Sequence, residues 1–502
     1  MTTPTTREAS RRWILAALML TMMLAAMDTT IVSTAIPQIT GDLGGFALFA
    51  WVFSIYLLTQ TVSIPVYGKL ADLYGRKPVL IIGTLIFLAG SAASASAWSM
   101  ITLVIFRGLQ GLGAGSIMAT VNTLAGDLYS VRERARVQGW LSSVWGIAAI
   151  AGPTLGGALA EYASWRWIFL INLPIGAAAL TLIGIFLHEK VQRSRHRIDF
   201  AGAGLVLAAV GALIFGLLQG GQAWPWWSTP SIIVFVSAAV LIGLTVIVER
   251  HAAEPVMPGW LWRRRELAGA NLAMIGMGFV MMAPNTYLPT FAQSVLGFGA
   301  IAAGLVLASM SIGWPLASSL SGRVYMRIGF RNTALGGAVL IVAAGAGFLA
   351  LPYPGPAWAI VLDQVALGAG FGLLSTPLLV GVQTVVGWEQ RGVVTGANMF
   401  SRYLGQSLGA AVFGAIFNAS LAARLAAAPT DLRAQLPHDV NTVIHVLHGH
   451  QLASATEHYL RHAIYAATHH IYLGLAIGAV LILLVVLATP RVFHAAKERD
   501  GA

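Results

Sequence analysis

The sequence predicts an all-α polytopic membrane protein of about fourteen spans, two six-helix bundles plus an inserted helix pair. Composition, the length of the apolar runs and the placement of charge predict it. Of 502 residues, 57% are hydrophobic and 10% are charged, and the mean hydropathy is +0.75. Soluble domains carry about 25% charged residues, so a chain this apolar cannot hide its surface in one core. The apolar runs are of helical span length, roughly 18–25 residues, and lack the alternation of barrel strands. The net charge of +11 falls in blocks in every second loop. These blocks include Lys69/Arg76/Lys77, Arg132/Arg134/Arg136, Arg263/Arg264/Arg265 and Arg323/Arg327/Arg331. That is the positive-inside pattern. It predicts a multi-pass protein of the cell (inner, cytoplasmic) membrane with both termini cytoplasmic. The basic balance is a topology signal, and no nucleic-acid partner is expected. With no cysteine, a disulfide framework and thiolate chemistry are excluded.

The elements follow in order. Spans are expected near 13–36, 47–67, 78–97, 100–122, 137–160, 165–187, 199–219, 230–248, 267–290, 299–320, 332–351, 357–385, 395–419 and 467–489. The basic start and first apolar run resemble a signal peptide, but the run exceeds a typical apolar core and contains Asp28; it reads as an uncleaved first helix. Three regions result: a six-helix bundle over 1–190, an inserted pair with linkers over 191–262, and a second bundle over 263–502 with an outer loop at about 420–466.

The halves repeat. Gly68-Lys-Leu-Ala-Asp-Leu-Tyr-Gly-Arg-Lys77 matches Gly322-Arg-Val-Tyr-Met-Arg-Ile-Gly-Phe-Arg331 at an offset of 254. Gly111 and Gly113 match Gly368 and Gly370 at 257, as Arg134, Gly139 and Gly152 match Arg391, Gly396 and Gly409. Two related bundles around a central site is transporter architecture.

Asp28 lies in an apolar first span, where a charged carboxylate costs about 2.5–3.5 kcal/mol on insertion scales. Binding a proton relieves that cost, so Asp28 is a candidate proton carrier. The region of its second-half counterpart, 280–282, reads Val-Met-Met, so only one half carries the acid. Arg107, inside the fourth span, needs a partner or a wet cavity, and as a cation it could modulate a nearby acid. Gly68, Asp72, Gly75, Arg76 and Lys77 form a short turn between helices. There glycine permits tight geometry, Asp72 can meet a helix N-terminus, and Arg76 and Lys77 can meet carboxylates or helix C-termini. Gly146, Gly152, Gly156 and Gly157 permit close helix approach, and Pro153 removes a helix hydrogen bond; together they suggest a hinge.

These stretches resemble three motifs of the major facilitator superfamily. Gly68–Lys77 is similar to its motif A. Leu103-x3-Arg107-x2-Gln110-Gly111-x-Gly113-x-Gly115 is similar to motif B. Gly146-x5-Gly152-Pro153-x2-Gly156-Gly157 is similar to motif C, associated with antiporters. Met27-Asp28-Thr29-Thr30-Ile31-Val32 and Trp165-Arg166-Trp167 through Gly176 resemble signatures of the fourteen-span drug:proton antiporters, the EmrB/QacA-like group. The resemblance implies the major facilitator fold and export of small molecules against proton entry by alternating access. It departs at Met326, which replaces the second-half aspartate of motif A, and at Gln364, which stands where Arg107 stands.

Candidate cavity residues are Trp51, Tyr56, Gln60, Trp145, Met281, Tyr287 and Asp363. Aromatic rings could stack on a substrate. The stripe Met274, Met277, Met281, Met282 could repack around varied ligands, although lipid contact or core packing is its ordinary role. His458 and His462 in the outer loop are spaced i,i+4 but lack an established metal pattern, and His438, His445, His448 and His450 accompany them in a solvated cap. No metal site and no cofactor are expected beyond the proton as coupling ion. Expected partners are an amphipathic small substrate, protons and the lipid bilayer, with the protein a monomer. An endogenous lipid, metabolite or siderophore exporter is the alternative, and a non-transporting sensor or scaffold is the alternative of another class. No nucleophile–base pair or phosphate loop suggests an enzyme.

Overall fold

Long apolar segments in lipid must satisfy their backbone groups internally, and a helix does so within one segment. The computed structural model describes residues 4–45, 48–189, 200–221, 223–252, 254–429, 432, 436 and 454–494. The first bundle contains α1 (Pro4–Ile31), α2 (Ile36–Leu43), α3 (Phe49–Tyr74), α4 (Arg76–Ala95), α5 (Met100–Leu128), α6 (Val131–Tyr162), α7 (Trp167–Leu170) and α8 (Asn172–Phe186). The inserted pair is α9 (Phe200–Gln219) and α10 (Thr229–His251), followed by the short α11 (Trp260–Arg263). The second bundle contains α12 (Arg265–Ser294), α13 (Ala300–Ala308), α14 (Met310–Ile328), α15 (Phe330–Ala350), α16 (Ala357–Thr384), α17 (Arg391–Ala426) and α18 (Ser454–Ala488). Among the described residues, 13 helical stretches are long and apolar enough to cross a membrane. The 26-residue α3 makes the fourteenth span, and the protein is a multi-pass membrane protein.

The repeat seen in sequence recurs in three dimensions. Gly75 and Gly329, 254 positions apart, each form a one-residue junction between helices at φ 94° and 86°, a conformation open to glycine and strained for other residues. In the first bundle α5 packs on α3 and α4; in the second, α16 packs on α14 and α15. The glycines of α5 and α16 make these approaches possible. A Cβ on Gly113 would lie 2.6 Å from the Gly83 carbonyl oxygen of α4, and one on Gly370 would lie 3.0 Å from that of Gly337 in α15. Between the bundles, α3 packs on α17 and α6 on α14.

The inserted pair lies outside this frame. α9 touches α3 and α17, and α10 packs chiefly on α9, leaving Ile232, Ile233, Val236, Val240 and Ile247 of α10 exposed as a lipid-facing surface. Trp51 of α3 packs in a tilted arrangement on Phe215 of α9 at 5.5 Å between ring centroids, so that ring anchors the pair.

Two segments differ from expectation. The turn over Gly68–Lys77 contracts to Gly75 alone, because α3 continues to Tyr74 and α4 begins at Arg76. Helix also enters the expected 420–466 loop from both ends: α17 runs to Ala426 and α18 begins at Ser454. The polar residues His458, Arg461 and His462 hide the start of α18 from a hydropathy reading, yet Thr456, Leu460, Ala463 and Ile464 form a buried stripe. His458 and His462 both contact the Tyr353 ring, at 6.0 and 5.1 Å. His438, His445, His448 and His450 lie outside the described residues.

Candidate functional site

Helix α1 is built to yield near Asp28. The hydroxyls of Thr29, Thr30, Ser33 and Thr34 all bond back to carbonyls three residues earlier, which competes with regular helix hydrogen bonding. One turn beyond Asp28 the helix tightens to a 3-10 turn over Val32–Ala35, the kind of local departure that often marks a hinge.

Asp28 faces α5. Its carboxylate pairs with Arg107 Nη1 and accepts from Gln110 Nε2 at 2.7 Å. Arg107 also donates to Gln110 Oε1 at 2.8 Å and to the Val52 carbonyl at 3.2 Å. Its guanidinium lies 4.2 Å from the centre of the Tyr56 ring. Asp28, Arg107 and Gln110 are all at 0% exposure, so Arg107 does not reach to an interface; it is the buried counter-ion of Asp28. Removing either partner from such a pair typically costs about 3–5 kcal/mol, because the other charge stays buried. Arg107 Nη2, the Tyr56 hydroxyl and both amide atoms of Gln60 have no hydrogen-bond partner among the described residues. Tyr56 and Gln60 are i,i+4 neighbours on α3 and share a face.

A cavity of about 470 Å³ lies between the bundles, lined from α1, α3, α5 and α6 on one side and from α12, α13, α14, α16 and α17 on the other. Gln60, Trp145 and Met281 line it, as do Thr29 and Thr30, while Asp28 lies behind the wall. The other expected lining residues do not. Tyr56 is turned inward under Arg107, Tyr287 packs in a tilted arrangement on Phe417 at 5.0 Å between ring centroids, and Asp363 packs over Gly347 of α15. Seven of the chain's 15 methionines, Met22, Met118, Met274, Met281, Met282, Met310 and Met399, line this single cavity. The methionine stripe of α12 is therefore largely a cavity wall, with Met277 packed behind it at 0% exposure.

Sequence reasoning passed over Arg402. It lies in α17 and lines the cavity, with a 3.4 Å contact to the hydroxyl of its neighbour Tyr403. The signal was the one that singled out Asp28, a charge in the interior of an apolar span. At the offset of 257 that relates Arg134 to Arg391, Arg402 corresponds to Trp145.

The glycines of α6 connect the cavity wall to Asp28. A Cβ on Gly152 would fall 2.0 Å from Thr30 Oγ1, and one on Gly156 would fall 2.7 Å from the Ile31 carbonyl oxygen. Thr30 also donates to the Ala148 carbonyl at 2.9 Å. A Cβ on Gly146 would fall 2.8 Å from Ser311 Cβ of the opposite bundle, whereas one on Gly157 would meet nothing within 4 Å. Helix α6 runs unbroken through Pro153, an exposed residue.

Below the cavity a buried polar network joins the bundles. Asp72 accepts from the backbone N–H groups of Gly392 and Val393 at the start of α17, both at 2.8 Å, a favoured place for a carboxylate. Arg76 bonds Asp72 at 2.9 Å and Asp127 at 2.8 Å, and Asp127 in turn pairs with Arg391 at 2.6 Å. Arg76 also lies 3.7 Å from the Trp388 ring centre, and Gln383 donates to the Asn122 carbonyl at 3.1 Å. Gly68 belongs to this seam: a Cβ there would lie 2.6 Å from the Gly392 carbonyl oxygen. Lys77 stands outside it, donating to the Gly184 carbonyl at 3.0 Å. At the pseudo-symmetric position Met326 is exposed, and the junction is made instead by the Tyr325 hydroxyl, which donates to the Val131 carbonyl.

Comparison with known proteins comes to the same architecture. The sequence profile of the Major Facilitator Superfamily matches residues 18–410. The multidrug transporter protein MdtP of Bacillus subtilis (strain 168) is 34% identical over 412 residues, covering 80% of this chain and 74% of the relative. Multidrug resistance protein 3 of the same organism is 33% identical over 416 residues, covering 82% and 80%. The solved structure of the human organic anion transporter MFSD10 superposes with a TM-score of 0.61, covering 95% of this chain and 99% of that one; at 15% identity the likeness concerns the fold alone.

Proposed function

This chain belongs to the major facilitator superfamily, a family of transporters and not of enzymes, and from that premise we propose that it is a proton-coupled antiporter of the cell membrane exporting amphipathic small molecules. The multidrug names of its relatives support the export reading. The observation that carries proton coupling is the fully buried Asp28–Arg107 pair, set behind the wall of a methionine-rich cavity. Gln60 lines the cavity and Tyr56 lies under Arg107, and the polar atoms of all three that have no partner among the described residues support a route for a proton to the carboxylate.

In the proposed cycle a proton reaches Asp28 and neutralises it. Arg107 then loses its counter-charge in a buried site, which is worth several kcal/mol, and must find new partners or solvent. That drives α5 and α1 to shift against each other. The shift passes through Thr30 to the Gly152–Gly156 seam of α6, and from α6 to α14 of the other bundle. Assigning the Asp72–Arg76–Asp127–Arg391 network to the cytoplasmic side, as the basic loops support, makes this a form latched on its inner face. Proton release to the cytoplasm with substrate binding resets the pair. The driving force is about 1.4 kcal/mol per pH unit and about 2.3 kcal/mol per charge per 100 mV.

The test is substrate-induced proton movement in everted vesicles. Asp28→Asn should abolish it. Because that change strands Arg107, the double variant Asp28→Asn/Arg107→Gln is measured beside it, and proton movement retained in either variant would sink the assignment.

A further inference from the structure

We propose that the central cavity selects amphipathic anions, with Arg402 binding the anionic group and the facing methionine and tryptophan surface taking the apolar body. The inference rests on the efflux reading above and adds the charge class of the substrate. Among the described residues that line the cavity Arg402 is the only charged side chain; none is Asp, Glu, Lys or His. Among the described residues it has no salt bridge to a carboxylate. Its protein contacts are the Tyr403 hydroxyl at 3.4 Å and the Tyr403 ring at 5.0 Å, and its Nε has no partner.

Contrast with Arg107 sharpens the point. Both are arginines deep in apolar spans, but Arg107 is neutralised by Asp28 and sealed at 0% exposure. Arg402 is half-buried and turned to the cavity. An uncompensated charge in a span is costly, and one kept facing a cavity marks a ligand path. With the Asp28–Arg107 pair formed, the cavity region carries a net positive charge. Guanidinium groups suit carboxylate, sulfonate and phosphate oxygens through paired hydrogen bonds. Gln406, one turn along α17, also lines the cavity and adds an amide donor. Trp145, at the position corresponding to Arg402 in the first bundle, and Trp314 offer aromatic faces for the rest of the molecule. The methionines let the apolar end vary, so the fixed feature of recognition is charge. A cation, by the same geometry, meets a like charge and no carboxylate.

Three radiolabelled naphthalenes sharing one ring system test this: the 2-sulfonate, the neutral 2-naphthol and the 2-trimethylammonium. Binding is measured by equilibrium dialysis on the full-length protein in phosphatidylcholine nanodiscs. The wild type should bind the sulfonate at least tenfold more tightly than the trimethylammonium compound. Arg402→Gln should weaken sulfonate binding at least tenfold and leave naphthol binding within twofold, and Arg402→Lys should restore part of the loss. Equal binding of sulfonate and cation, cation preference, or no sulfonate binding by the wild type overturns the proposal. So does a folded Arg402→Gln variant with unchanged sulfonate affinity. Replacing part of the phosphatidylcholine with phosphatidylglycerol separates two sources of the anion: loss of sulfonate binding identifies a lipid headgroup, retention a free amphiphile, and either is anion capture at Arg402. Proteoliposomes keep the two readings apart. Proton-coupled movement of naphthol with no sulfonate preference would defeat the charge assignment alone. Arg402-dependent sulfonate binding without proton-coupled transport of any probe would defeat the antiport reading alone.

Discussion

At the residue scale the first-bundle charges form a pair whose members cannot be altered singly without consequence. Asp28→Asn leaves Arg107 buried without a counter-charge, so it should lower stability by about 3–5 kcal/mol. Arg107→Gln made on that background should recover much of the loss. A double-mutant cycle of unfolding in detergent measures this, and strictly additive losses would show that the pair is not coupled as its geometry indicates. The second-bundle counterpart has no such pair: Gln364 stands in place of Arg107, fully buried, with neither amide atom bonded among the described residues. The buried Asp28–Arg107 ion pair therefore belongs to one half of a pseudo-symmetric molecule. Asp28 was legible in sequence because a carboxylate in an apolar span is conspicuous. The identity of its partner required knowing which face of α5 meets α1.

At the element scale, small residues decide how closely helices approach and so what their movement transmits. Gly152 and Gly157 are both glycines of the same helix and the same motif, yet their surroundings differ. A methyl group on Gly152 overlaps Thr30 Oγ1 at 2.0 Å, while one on Gly157 enters open space. Gly152→Ala should reduce transport at least tenfold, and Gly157→Ala should leave it within twofold. Equal effects of the two changes in a vesicle transport assay would remove the α1–α6 seam from the mechanism. The glycine pattern in sequence identifies the motif but not which of its members are in contact. The expected turn over Gly68–Lys77 shows the same limit: Gly75 makes the junction and Gly68 makes a helix crossing, two uses of one residue type.

At the scale of the whole molecule, the latch joins the ends of α3, α5 and α17 below the cavity. Asp72 alone accepts two backbone hydrogen bonds from α17 and one from Arg76. Asp72→Asn should weaken the latch and favour the form open on that side. The chain has no native cysteine, so Asn122→Cys, placed low in the cavity wall, can be labelled alone. A membrane-impermeant maleimide applied from the cytoplasmic side should label it at least fivefold faster in the Asp72→Asn background. An unchanged rate would show that the network does not hold the bundles closed. Among the described residues the inserted pair α9–α10 contributes none to the cavity lining, and its contacts with α3 and α17 place it at the flank of the α3–α17 seam.

The sequence by itself determined the helical membrane class, the approximate order of the spans, the two-fold repeat and the exceptional residues Asp28 and Arg107. Each of these rests on properties local to a segment: length, hydropathy, loop charge, or the expense of a charge in lipid. Only the tertiary structure decided that Asp28 lies behind the cavity wall, that Tyr56 serves Arg107 and Trp51 serves α9, and that Arg402 faces the cavity. The physical reason is that lipid and protein interior are both apolar. A soluble helix advertises its buried face by an apolar stripe, whereas a membrane helix is apolar on nearly every side. The direction each side chain takes is then set by packing against neighbouring helices.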